Sequence, residues 1–254
     1  MFELIAKLRD DIELLDRRAV IALVYAAFGL TAIFYFKNAD FVEAAAKFAP
    51  ALDHAAAWIL EPHASNIRLL GYWAAVTMVF YVGLPAVIVR RMFRGRLADL
   101  GLSLRIEPGF WPLLAQCVAV MLPLVYWMST TEGFASRYPF LKIYNGDPYI
   151  GWTLAVWELM YFLQFFGLEF FFRGFLIHSL KRSLGVYSVF VMTVPYTMIH
   201  LGKPMPEAFA AIVAGIFLGW LSYRTGNIWM GLVLHCTVAL SMDILALGHK
   251  GLLF

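Results

Sequence analysis

Seven stretches of this chain are apolar over membrane-like lengths: residues 19–36, 69–89, 108–128, 149–180, 186–201, 208–223 and 228–247. Hydrocarbon offers no partner to a backbone N–H or C=O. A segment that enters it must satisfy its own polar groups, and a helix is how a single segment does so. The pattern predicts an all-α polytopic membrane bundle of about seven transmembrane helices. Composition agrees: 62% of the 254 residues are hydrophobic and 15% are charged, against about 25% charged in a soluble domain. The chain reads as a single integral membrane domain over residues 1–254. Cys117 and Cys236 both fall in apolar runs and read as small buried hydrophobes rather than a disulfide.

Outside the apolar stretches, charge sets topology. Residues 1–18 mix acids and bases, with Leu4, Ile5, Leu8, Ile12 and Leu15 at helical spacing. This predicts an amphipathic helix on the membrane surface. The alanine-rich segment 41–60 reads as an interfacial or re-entrant helix. The densest basic run, Arg90-Arg91-Met92-Phe93-Arg94-Gly95-Arg96, is a topology signal. With a cytoplasmic N-terminus, the inside segments 1–18, 90–107, 181–185 and 224–227 hold twelve Lys and Arg, and the outside segments hold seven. That bias supports a cytoplasmic N-terminus; the chain is expected to be a multi-pass protein of a cell membrane, with a bacterial inner membrane as the expected location. No basic cluster interleaved with aromatics points to nucleic acid.

Charge inside the spans is harder to accommodate. Glu169 and Arg173 lie in the long apolar run over residues 154–180. A charged side chain at mid-bilayer costs at least ~2.5 kcal/mol even on insertion scales. Four residues apart on a helix, the two share a face and can pair. His200, His235 and Asp243 fall in later spans, and Glu158 sits nearer the outer end of the fourth. Lipid exposure of such groups is untenable, so Glu169, Arg173, His200 and His235 are expected to face one internal cavity. Asp243 matches His200 in estimated depth and is a candidate neighbour. Glu158 is expected to be a mouth or interface residue. Ala211, Gly215 and Gly219 form a small-residue ridge for close helix packing.

A carboxylate and two imidazoles in a dry cavity suit proton transfer. A glutamate and a histidine can hold and deprotonate a water, and a second histidine can donate to the oxyanion that forms. The same residues could hold zinc, but the chain contains no His-Glu-x-x-His. It also lacks the Gly-x-Ser-x-Gly of a serine nucleophile. The reading therefore calls for no metal and no cofactor.

These residues resemble the type II CAAX proteases, also called the CAAX-protease and bacteriocin-processing (Abi) family, which are glutamic intramembrane proteases. The family pattern is Glu-Glu-x-x-x-Arg, then Phe-x-x-x-His, then His-x-x-x-Asn or Asp. Here the first motif reads Leu168-Glu169-Phe170-Phe171-Phe172-Arg173, followed by Gly174-Phe175. The second reads Tyr196-Thr197-Met198-Ile199-His200 and the third His235-Cys236-Thr237-Val238-Ala239. The resemblance covers residues 150–245. Three positions depart from it: Leu168 stands where the water-activating glutamate is usual, Tyr196 replaces phenylalanine, and Ala239 replaces the residue that supports the last histidine.

The resemblance implies an intramembrane endopeptidase acting on a membrane-associated protein or peptide. In that reading Glu169 activates water with help from His200, His235 stabilises the oxyanion and Arg173 orients Glu169. Gly167 is the expected place for the local unwinding that would bring Glu169 into the role of the missing glutamate. The alternatives are a catalytically inactive relative that binds membrane peptides, favoured by Leu168 and Ala239, and a proton-coupled transporter.

Overall fold

The computed structural model describes residue 7 and residues 12–61, 64–103 and 106–252. Most of the expected surface helix over residues 1–18 lies outside these. The described part is a helical membrane bundle with ten helices and, within it, no strand. Helix α1 spans Arg17–Phe36, α2 Ala39–Phe48, α3 Asp53–Leu60 and α4 Ile67–Met92. They are followed by α5 (Phe110–Ser129), α6 (Glu132–Arg137), α7 (Trp152–Leu184), α8 (Tyr187–Met198), α9 (Met205–Thr225) and α10 (Trp229–His249). The expected segment 41–60 appears as α2 and α3, two short helices separated by a 3-10 turn at Pro50–Leu52.

Six helices, α1, α4, α5, α7, α9 and α10, are long and apolar enough to cross a bilayer. The expected span at 186–201 differs. Its helix, α8, has 12 residues and is about 18 Å long, short of the roughly 30 Å hydrocarbon core. The apolar run continues to Leu201, but the backbone turns after Met198, with Pro195 already in the last helical turn. Hydropathy counted Ile199 to Leu201 as helix; chain geometry does not. Large apolar side chains such as Leu159, Val194, Phe209 and Val213 are 61–70% exposed, the surface a lipid-facing bundle presents.

Small residues set how closely the helices approach. A Cβ at Gly219 would lie 2.8 Å from Met192 Cε and one at Gly215 would lie 2.9 Å from Thr193 Cγ2. The ridge predicted on α9 is therefore what lets α8 lie against it. On α1 the buried face is Ala19, Ala22, Tyr25, Ala26 and Gly29, again mostly small. Helix α1 starts at Asp16, whose carboxylate accepts from the N–H groups of Arg18 and Ala19.

Two of the crossing helices are wound irregularly. Helix α4 contains π-helical turns at Val79–Gly83 and Ile88–Met92 on either side of Pro85. A proline inside a helix removes a donor and crowds the preceding turn, and wider π winding relieves both. The Phe80 carbonyl in the first of these turns accepts the Tyr25 hydroxyl of α1 at 2.6 Å. Helix α7 is α-helical to Glu169, π-helical over Phe170–Leu176, and α-helical again from Ile177. Phe170, Phe171, Phe172 and Phe175 on this π segment are at most 1% exposed and belong to the largest hydrophobic core.

Candidate active site

The π segment of α7 is fixed from three sides. Phe171 stacks on Tyr81 of α4, with ring centroids 5.0 Å apart, and meets Tyr25 of α1 edge-on. Phe175 stacks parallel to Phe93. Gly174 passes so close to the loop before α5 that a Cβ there would sit 2.5 Å from the Leu100 carbonyl oxygen. π turns of this kind are rare and concentrate at functional sites. Here the turn begins one residue after Glu169 and contains Arg173.

Glu169 is fully buried and Arg173 is 1% exposed. Arg173 Nη1 lies 3.1 Å from Glu169 Oε1, and His235 Nδ1 on α10 lies 2.8 Å from the same oxygen. Both contacts are of ion-pair length without hydrogen-bond alignment, so charge and proximity bind the group rather than a fork-to-fork pair. Helix α10 comes close enough because residue 231 is glycine: a methyl there would overlap the Glu169 carboxylate. The aligned bond of His235 Nδ1 is to the Gly231 carbonyl at 3.1 Å, and its ring stacks on Phe165 with centroids 5.3 Å apart.

Tyr196 of α8 completes the cluster. Its hydroxyl is 3.0 Å from His235 Nε2, and the Arg173 guanidinium lies over its ring, Cζ 3.9 Å from the centroid. His200, just beyond α8, has Nδ1 2.8 Å from the Tyr196 carbonyl oxygen, and its ring packs on that of Tyr196. The structure thus brings Glu169, Arg173 and His235 into direct contact and joins His200 to them through Tyr196. The contacts of Glu169 are with His235, whereas the sequence reading had paired it with His200. Neither Glu169 carboxylate oxygen is exposed, and His235, at 17% side-chain exposure, is the open edge of the group.

Other expectations need correction. Gly167 is not a point of unwinding: the helix is regular through Glu169, and Gly167 instead makes room for Met78 and Tyr81 of α4. The irregularity lies after Glu169, where large aromatic side chains fix it. Leu168 packs, half-buried, against the largest apolar core. Ala239 is buried among Leu70, Leu141, Trp157 and Tyr161 and offers His235 no polar atom. Glu158 is not open to the surface but 9% exposed, and lies beside Asp243. Asp243 accepts the Trp157 indole N–H at 2.9 Å, and Trp157 and Glu158, not His200, are its partners. Neighbouring helices α7 and α10 close over this pair, which single-span depth counting does not register. Sequence reasoning also missed the Tyr196 hydroxyl. Its only signal was a tyrosine where the motif has phenylalanine.

Among the described residues, no group of three or more His, Cys, Asp or Glu side chains is gathered to hold a metal ion. Cys117 and Cys236 are both free.

Residues 150–241 match the family model Rce1-like, described as type II CAAX prenyl endopeptidase Rce1-like. The match begins just before α7 and ends inside α10, and it contains Glu169, Arg173, Tyr196, His200 and His235. The resemblance read from the motifs is therefore shown over this part of the chain. By that description, the proteins of this family are endopeptidases. No curated protein and no solved structure matches the chain.

Proposed function

We propose that residues 150–241 form the catalytic unit of an intramembrane endopeptidase that hydrolyses a peptide bond of a membrane-associated protein or peptide. The observation that carries this reading is the contact of Glu169 with both Arg173 and His235, next to a second histidine, inside a bundle that has no reason to bury charge for stability alone. The tautomer of His200 follows from its bond: Nδ1 faces a carbonyl and carries the proton, so Nε2 is the basic nitrogen. In the proposed reaction His200 Nε2 takes a proton from water. The hydroxide bonds to the scissile carbonyl carbon, and the oxyanion forms beside His235, whose ring is held between Glu169 at Nδ1 and the Tyr196 hydroxyl at Nε2. The C–N bond then breaks and the proton on His200 passes to the leaving amine. Glu169 is enclosed, so this assignment gives the water to His200 and makes Glu169, held by Arg173, the acceptor that orients His235.

The orientation is part of the proposal. Arg17 and Arg18 of α1, Arg94 after α4 and Arg182 of α7 line one recess of about 530 Å³. Gathering of these arginines at one end supports a cytoplasmic placement of that end, and with it of the N-terminus.

Cleavage of C-terminal tail peptides by the purified, lipid-reconstituted protein tests the reading. Wild type is expected to cut, and His200→Ala and Glu169→Gln each to lose roughly 10²-fold or more in kcat. Variants that cut at the wild-type rate overturn the assignment. The enclosure of Glu169 and the apolar surroundings of Ala239 favour one second reading, an inactive relative that holds membrane peptides. Peptide binding by wild type without cleavage would select it.

A further inference from the structure

Tyr196 touches His235 with its hydroxyl, Arg173 with its ring face and His200 with its carbonyl oxygen. It is 1% exposed, and Phe172 of the π segment meets its ring edge-on. The chemistry of its neighbours fixes where the protons are. His235 Nδ1 faces only acceptors, the Gly231 carbonyl at 3.1 Å and Glu169 Oε1 at 2.8 Å. In the neutral imidazole Nδ1 therefore carries the hydrogen, and Nε2 presents a lone pair to which the Tyr196 hydroxyl donates. One turn further along α10, where a carboxamide or carboxylate could have held the ring, Ala239 supplies a methyl in an apolar setting.

We propose that Tyr196 is the positioning residue of this site: from α8, its hydroxyl gives His235 the support that α10 lacks at Ala239, while its carbonyl sets His200. One residue thus fixes the orientation and tautomer of both imidazoles, as outer partners do for histidines in metal and catalytic sites. The two departures from the motif, tyrosine for phenylalanine at 196 and alanine at 239, compensate one another. A phenylalanine at 196 would keep the ring beneath Arg173 and the carbonyl bond to His200, and would remove the hydroxyl alone. The kinetic consequence rests on the protease reading above; the arrangement of the histidines does not.

The experiment compares wild type with Tyr196→Phe, both labelled with ¹⁵N-histidine in phospholipid nanodiscs, with His200 and His235 assigned by single His→Gln variants. In wild type each of the two is expected as a single Nδ1–H tautomer. In Tyr196→Phe the His235 Nε2 resonance is expected to move and its tautomers to mix, while His200 and the thermal midpoint stay as in wild type. Cleavage should lose about tenfold in kcat with KM unchanged, the scale of one lost hydrogen bond at a reacting group. Unchanged His235 resonances in Tyr196→Phe overturn the proposal. So does a simultaneous shift of both histidines with a lowered midpoint, which would make Tyr196 a packing residue only. If wild type itself does not cleave, the protease reading fails and the resonances alone decide the positioning role.

Discussion

Helices α7 and α10 enclose two carboxyl sites, built on opposite terms. Glu169 is matched by the cation Arg173 and by His235, with Gly231 making the space. Glu158 lies eleven residues earlier on α7, about 16 Å along the axis. It faces another carboxyl, Asp243, whose other partner is the neutral indole N–H of Trp157. Two ionised carboxylates are both acceptors and repel; a proton between them turns the contact into a hydrogen bond. The first site therefore holds a charge by surrounding it with others. The second sets two acids side by side, with the Lys142 ammonium near Asp243 but in no salt bridge with it. Neutralising one partner should cost much at the first, and little at the second when the partner is Glu158.

Arg173→Met makes the strongest test. It leaves Glu169 fully buried without its cation, and breaking one side of a buried pair costs about 3–5 kcal/mol. Chemical unfolding of the reconstituted protein should show that loss, against less than about 1 kcal/mol for neutralisation at Glu158. Equal midpoints for Arg173→Met and wild type would mean that the ion pair carries none of the fold.

Gly231→Ala comes next. Alanine normally favours a helix interior over glycine by about 0.5–1 kcal/mol. Here the added methyl overlaps the Glu169 carboxylate, and relieving it means moving α10 or turning Glu169 away from His235. Overpacking of this kind costs about 1–3 kcal/mol, so the substitution should destabilise the protein and reduce cleavage together. A stabilised, active Gly231→Ala would show that the carboxylate has room to move.

Leu168→Glu sharpens the comparison in another way. A carboxylate at 168 would stand at the position usual for the family, yet this side chain packs against the apolar core while Glu169 faces Arg173 and His235. Adjacent helical residues differ by about 100° in direction. We expect Leu168→Glu to lower stability by about 1–3 kcal/mol, as for a polar group buried without a partner, and not to raise cleavage. A faster Leu168→Glu enzyme would mean that α7 rotates in use.

Much of this was legible in the sequence. Apolar run lengths gave the six crossing helices, and i, i+4 spacing placed Arg173 beside Glu169. Small residues on α9 marked its contact with α8. What escaped shares a physical cause: it depends on neighbours far along the chain. The π turn after Glu169 has no compositional mark, because it is fixed by Tyr25, Tyr81 and Leu100 from other segments. The Glu158–Asp243 contact joins residues 85 positions apart. The shortness of α8 escaped because hydropathy records which residues are apolar, not where the backbone turns.

The smallest expected effect, at Glu158, decides whether the second site is what its geometry implies. Glu158→Gln keeps the shape of the side chain and supplies a permanent N–H where the carboxyl must rely on a proton. If the contact with Asp243 is a hydrogen bond made by that shared proton, the amide replaces it at no electrostatic cost, and stability should stay within about 1 kcal/mol of wild type or rise slightly. Asp243→Ala behaves differently, because it strands the buried Trp157 N–H as well as Glu158; a loss of about 1–3 kcal/mol is expected. A loss of more than about 1 kcal/mol in Glu158→Gln would show that no proton is held there, and the contrast with Glu169 would reduce to a difference in packing.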